Sequence, residues 1–329
     1  MSDKPPVDLR RRHLCLAALA AAGASRHALA QEFPARSLRI LVGFSAGSPS
    51  DALARALAEK MSRSFGHPVI VENKPGAGGI VAIKALLQSP ADGYTMLVVS
   101  AAHAATPAIR RNLDFDPIKD LSGITRIANV PSILVANPNL GAKTLKDLLE
   151  KIRQAPGALS YSTPSRGSAN HFAAAYLLAK TGLRAADIPY KGVPEALTAV
   201  ISGECQFSFV PVPNAVNLVR EGRVLALAAS TGARSNVLPD VPTVAEAGVP
   251  GYAFDPWFGL LTQSAVPAAT RAKLVAASQE ALAAADIRTR FEAIGADISP
   301  LPGERFDSYI RDEIAKFKAI AADAGIEST

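Results

Sequence analysis

The sequence predicts an α/β protein built as two lobes, and three observations carry that prediction. Apolar runs of strand length alternate with helix-periodic segments almost from end to end. The chain, 329 residues long, has room for two domains of ordinary size. Its last third is mostly helical, and helices need a sheet to cover. The chain is therefore expected to return to its first domain, which makes two crossings between lobes and a hinge that can close over a cleft. The expected division is a leader at 1–30, lobe 1 from 31–129 plus 231–329, and lobe 2 from 130–230.

The leader is the first element. Arg10, Arg11 and Arg12 form a basic start, and Leu14 to Ser25 is a short run of Leu, Ala, Cys and Gly. Ala28-Leu29-Ala30 has the small-x-small pattern of a signal-peptidase site, so cleavage is expected near Ala30, with the mature protein in the periplasm. The run is well short of the ~20 residues that span a bilayer. The Arg11-Arg12 pair admits a twin-arginine signal as readily as a Sec signal.

The mature elements follow in order. Leu38 to Phe44 reads as a strand, Asp51 to Phe65 as a helix, Val69 to Val71 as a strand, Ile80 to Gln88 as a helix and Thr95 to Ser100 as a third strand. This βαβ succession predicts parallel strands with helices on both faces. A second set begins near Asn129. Ser132 to Ala136 is a strand, and Thr144 to Gln154 a helix capped by Thr144 with Asp147 three residues on. Strands at Leu159 to Ser162, Ile188 to Tyr190, Gln206 to Val210 and Val224 to Ala229 alternate with helices at Ser168 to Lys180, Pro194 to Ser202 and Pro213 to Glu221. Then come a strand from Trp257 to Leu261 and helices at Val266 to Ala285, Asp286 to Ile294 and Glu304 to Ala324.

Composition excludes several functions. The leader carries Lys4, Arg10, Arg11, Arg12 and Arg26 against Asp3 and Asp8. Without it, 30 basic residues face 27 acidic ones, a net charge of +3, too little and too scattered for nucleic acid. Cys205 is the only mature cysteine, which rules out an intrachain disulfide. With His67, His103 and His171 alone in the mature chain, no metal-site spacing occurs and no cofactor is expected.

Two loops could carry chemistry. Gly43-Phe44-Ser45-Ala46-Gly47 matches the G-x-S-x-G elbow of serine hydrolases and lies between a strand and a helix. Its position argues against a nucleophile at Ser45. Too few strands precede it, and the last histidine, His171, comes long before the end of the chain. The alternative is anion capture, with Ser48 and Asp51 at a helix start whose amides and dipole suit a carboxylate. Asn73 to Gly79 lacks the Gly-Lys-Ser/Thr ending of a phosphate loop and reads as a tight turn. The stretch Tyr161 to His171 repeats the first loop's design, with Ser168 or Asn170 as a possible cap; Arg166 reads either as a bidentate partner for a carboxylate or as a solvated surface residue.

These loops and their surroundings resemble the Bug-type receptors, the substrate-binding proteins of tripartite tricarboxylate transporters. The likeness runs through Leu38 to Arg55, Val71-Glu72-Asn73-Lys74-Pro75-Gly76-Ala77-Gly78-Gly79 and Ala91-Asp92-Gly93-Tyr94-Thr95. It continues through His103 to Pro107, Pro189-Tyr190-Lys191-Gly192 and Leu238-Pro239-Asp240-Val241-Pro242-Thr243. The resemblance implies a type II periplasmic-binding-protein fold, no catalysis, and a small carboxylate ligand held between the lobes. It also implies a monomer that presents its ligand to membrane transporter subunits, or to a sensor protein. The ligand-binding residues it implies are Phe44, Ser45, Ala46, Gly47, Ser48 and Asp51 in the first loop, and Thr163, Arg166, Gly167, Ser168 and Asn170 in the second, with His103 besides. This chain departs from the family pattern at Ser45, Ser48 and Arg166. Val210-Pro211 stands where many members carry an acidic residue, which argues against an amino-acid ligand.

Overall fold

The computed structural model describes residues 33–326; the expected leader at 1–30 lies outside the described residues. The described residues from Ser37 onward form one compact unit. In that unit strand β1 (Leu38–Val42) leads to helix α1 (Pro49–Phe65), β2 (Val69–Asn73), a short 3-10 turn at Ala77–Gly79 and α2 (Ile80–Leu87). Next come β3 (Thr95–Ser100), α3 (Ala102–Ile109), β4 (Leu121–Asn129) and β5 (Ser132–Ala136). Then follow α4 (Leu145–Gln154), β6 (Ser160–Thr163), α5 (Ala169–Thr181), β7 (Ala186–Pro189), α6 (Val193–Ser202), β8 (Phe207–Pro211), α7 (Val212–Arg220) and β9 (Leu225–Ala229). The chain ends in β10 (Trp257–Gln263), α8 (Ala268–Ala283), α9 (Ala285–Ala293), β11 (Asp297–Pro302) and α10 (Glu304–Asp323).

Two sheets organise these elements. The first has the order β11-β4-β10-β3-β1-β2, and the second β7-β6-β8-β5-β9. Around β1 and β6 the pairing is parallel, as the βαβ pattern predicts: β1 lies between β2 and β3, and β6 between β7 and β8. Elsewhere the prediction of parallel sheets needs correcting. β10 runs antiparallel between β3 and β4, β11 runs antiparallel to β4, and β5 runs antiparallel to β8 and β9. The cause is the pair of crossings. A strand that returns from the other lobe arrives at the opposite end of the sheet from one delivered by a βαβ crossover.

The crossings lie side by side. Only Val130 and Pro131 separate β4 from β5, and the return runs from Ser230 to Pro256. The Ser230 amide donates to the Ser132 carbonyl at 2.8 Å, and the Val130 amide to the Pro256 carbonyl at 2.9 Å. Two antiparallel, hydrogen-bonded connections of this kind are the hinge of a two-lobe α/β protein. The return also feeds the second lobe's core, where Leu238 and Val241 pack with Ile133, Val135 and Val210. A larger apolar cluster spans both sheets, with Phe172 of α5 edge-on to Phe317 of α10 at 4.8 Å.

Three elements escaped the sequence reading: α3, β4 and β11. Strand β4 contains Gly123, and the ring of Phe306 on α10 occupies the space a side chain there would fill. Gly259 of β10 serves the same ring, so two glycines seat one helix on the sheet. Strand β11, with Pro300 and Pro302, reads as a loop; it is an edge strand, where proline is tolerated. Helix α3 is short and carries Pro107 inside it.

The glycines of the elbow-like motif have packing duties. A β-carbon on Gly43 would lie 2.7 Å from the α-carbon of Gly79, backbone against backbone. Gly43→Ala is therefore expected to destabilise the protein by about 1–3 kcal/mol, the range for overpacked sites. Urea denaturation measures it, and an unchanged midpoint would show that the two segments do not meet so closely.

Candidate functional site

The two loops singled out by sequence have one architecture. Each leaves the carboxyl end of a parallel strand and enters a helix through an N-cap serine, Ser48 for α1 and Ser168 for α5. The cap dihedrals agree: φ −70°, ψ 160° at Ser48 and φ −69°, ψ 158° at Ser168. Three residues back, the Ser45 carbonyl accepts the Ser48 amide at 3.2 Å, as the Ser165 carbonyl accepts that of Ser168. The residue before each cap is a glycine in the left-handed region, Gly47 at φ 79° and Gly167 at φ 81°. Glycine adopts that conformation without the strain a β-carbon brings.

Each of these glycine amides is fixed by the side chain at the third helical position. In the first loop the acceptor is Asp51, whose Oδ2 takes the Gly47 amide at 2.9 Å. Its carboxylate also receives Arg55 Nε at 3.0 Å and Asn73 Nδ2 at 2.9 Å, while Ser48 Oγ accepts the Asp51 amide. Asn73 Nδ2 reaches the Phe44 carbonyl too, so the loop is tied to β2. Burial alone would raise the Asp51 pKa, but Arg55, the Gly47 amide and Asn73 together bring it below the ordinary carboxylate value. Asp51 is thus an ionised organiser of the loop with its acceptor sites in use.

In the second loop the acceptor is His171, whose Nδ1 takes the Gly167 amide at 3.4 Å. Burial lowers the His171 pKa; Asp187 opposes that and Arg166 adds to it, and the ring is neutral at pH 7. Its Nε2 faces Asp187 Oδ2 at 3.8 Å. Asp187 also accepts Thr163 Oγ1 at 3.0 Å and Arg166 Nε at 2.9 Å. Asn170 donates to Ser132 Oγ and the Phe209 carbonyl, fixing α5 to β5 and β8.

The structure thus divides the residues expected at the site. Asp51, Thr163 and Asn170 are buried, with their side chains engaged inside the protein. Ser48 and Ser168 spend their hydroxyls on capping. Ser45, Ala46, Ser165 and Arg166 are exposed, and their backbone amides donate to no other group among the described residues. His103 is not brought to the loops by any hydrogen bond. It is 3% exposed, beside the backbone of Pro117, and neither ring nitrogen makes a hydrogen bond within the protein. Sequence reasoning missed Asp187, Asn73 and Arg55 as organisers, and Ile109, whose tip lies against Gly167 and so sets α3 of the first lobe on the second loop.

The site offers no pair for nucleophilic catalysis among the described residues. Neither of the two buried histidines bonds to Ser45, and Gly43 and Gly47 are explained by packing and turn geometry. No group of three His, Cys, Asp or Glu residues there could hold a metal ion. A cavity of about 90 Å³ lies in the first lobe, walled by Pro117, Leu121, Leu261 and Asp307, and no loop residue lines it.

Two α/β lobes on a double hinge, with open amides at helix starts, are an arrangement suited to binding a solute. Comparison with known sequences and structures identifies the kind. Residues 53–326 match the profile of the tripartite tricarboxylate transporter family receptor, TctC. The chain is 30% identical to protein BugT of Bordetella pertussis, over 93% of this chain and 95% of that one. It resembles the structure of R. palustris Rpa4515 with adipate, with a TM-score of 0.82 and 29% identity over 91% of this chain and 100% of that one. It also resembles MatC from Rhodopseudomonas palustris with bound malate, with a TM-score of 0.78 and 29% identity over 88% and 99% of the two chains. The chain belongs to the family of Bug-type receptors of tripartite tricarboxylate transporters, which bind solutes and are not enzymes.

Acid should weaken the fold through His103. Burial lowers its pKa to about 4 from an ordinary value of 6.5, with the Pro117 backbone working slightly the other way. The unfolded chain therefore takes up the proton first as pH falls. Stability is full above pH 6.5 and is lost down to about pH 4, by roughly 3 kcal/mol from this residue. Melting curves between pH 7 and 4 should show the loss, and His103→Leu should flatten it. An equally steep decline in that variant would assign the effect elsewhere.

The organiser of the first loop can be tested in parallel. Asp51→Ala leaves the Gly47 amide, Arg55 and Asn73 without their acceptor and should cost about 1–3 kcal/mol. A melting temperature equal to that of the parent protein would mean that the carboxylate does not hold the loop.

Proposed function

We propose that this protein captures a small organic carboxylate in the periplasm and presents it to the membrane subunits of a tripartite tricarboxylate-type transporter. The observation that carries the reading is the matched pair of loops. Each brings exposed amides to a helix start, where the dipole and the unsatisfied N–H groups favour an anion. The Ser45 and Ala46 amides from one lobe and the Ser165 and Arg166 amides from the other would grip a carboxylate as the hinge closes. Family membership and the relatives with adipate and malate support this ligand class. No helix among the described residues is long and apolar enough to cross a membrane. The basic start and the Ala28-Leu29-Ala30 pattern support export by a leader removed near Ala30. Delivery to a transporter is the use that the family name supports.

Native mass spectrometry of the protein as purified, followed by thermal shifts with a panel of carboxylic acids, tests the reading. An acid at 100 times its dissociation constant should stabilise the protein by about 2.7 kcal/mol. If no carboxylic acid shifts the melting curve while an uncharged solute does, the reading fails.

A further inference from the structure

The second loop holds one feature that carboxylate capture by amides does not require, a fixed guanidinium. Arg166 is 71% exposed along its side chain, yet its Nε is bonded to Asp187 Oδ2 at 2.9 Å. Asp187 is only 14% exposed and is itself held by the hydroxyl of Thr163, a fully buried residue. The guanidinium is thus tethered at its neck, while its two terminal nitrogens bond to no other group among the described residues. A planar fork with both tips open is the geometry that meets a carboxylate with two parallel hydrogen bonds. Its place is also defined. The next residue, Gly167, abuts Ile109 of α3, so the fork stands on the loop where the second lobe meets the first.

We propose that Arg166 is the specificity residue for a second acidic group on the ligand, with Asp187 as its positioning residue, so that the preferred ligands are dicarboxylates. The inference rests on the carboxylate reading above and deepens it. The first carboxylate needs no cation, because two helix starts already supply donors and favourable dipoles. The charge of Asp187 is balanced by Arg166, and its other oxygen accepts the Thr163 hydroxyl, so the carboxylate is turned inward to the loop rather than toward a ligand amine. The one charge offered outward from this loop is therefore positive. Lysine could not replace the arginine in full: it would keep the charge but lose the fork and the Nε bond that aims it.

The test compares diacids with monoacids of the same carbon number: succinate with butyrate, adipate with hexanoate, suberate with octanoate. Affinities are measured by titration calorimetry on the mature protein. In at least one pair the parent protein should bind the diacid ~10-fold or more tighter, the effect of a charge-assisted bidentate contact. Arg166→Gln should bring that ratio close to one. Asp187→Asn should lower it in the same direction, and Arg166→Lys should fall between the parent and the glutamine variant. A structural role for Asp187 would weaken both acids of a pair together and leave their ratio alone; that outcome overturns its positioning role. Diacids bound no tighter than their monoacids, or a ratio unaffected by Arg166→Gln, overturns the inference and leaves carboxylate capture standing. Failure of every acid, mono or di, to bind would remove both.

Discussion

The constraint on which the site depends is the fate of the backbone N–H groups at two helix starts. The first turn of a helix leaves its amides without internal partners, and each must find an acceptor or meet solvent or a ligand. In both loops the protein satisfies one amide from within, that of Gly47 or Gly167, through the side chain at the third helical position. It leaves the two preceding amides open. Fixing the glycine amide aims the others, because the left-handed glycine and the Ser45–Ser48 or Ser165–Ser168 turn leave the loop little freedom. A preorganised donor set binds an anion without first being ordered by it.

The two loops differ in the charge of the acceptor. Asp51 is anionic and compensated by Arg55; His171 is neutral and backed by the Asp187–Arg166 pair. Each loop is therefore close to neutral in its own scaffold, and the field at the open amides comes mainly from backbone dipoles. Such a field suits any carboxylate. Under the proposal above, discrimination then falls to side chains beside the amides, and Arg166 is the charged one that the second loop would contribute.

Much of this was legible in the sequence because its signals are local. Alternation of apolar runs with helical periodicity gave the order of β1 to β3 and of β5 to β9, and Thr144 with Asp147 announced the capping box that opens α4. The likeness of the two loops was visible in serine, glycine and the polar residues after them. What stayed hidden depends on partners distant in the chain. Strand β4 is held by its neighbours β10 and β11 and by a Phe306 ring seated on Gly123 and Gly259, none of which has a local signature. Asp187 lies in a four-residue edge strand, and only the fold brings it to Thr163, Arg166 and His171. His103, expected among the ligand contacts on the strength of a family motif, is buried beside the backbone of Pro117, a surrounding that no local pattern announces.

The central claim is that amides of two loops, one from each lobe, close on a carboxylate. A crystal structure of the protein with the acid that stabilises it most tests this directly. The account predicts carboxylate oxygens within about 3 Å of the Ser45 or Ala46 amide and of the Ser165 or Arg166 amide, the usual N–H···O distance. An acid seated elsewhere, such as the cavity walled by Pro117, Leu121, Leu261 and Asp307, with both loops empty, would contradict it.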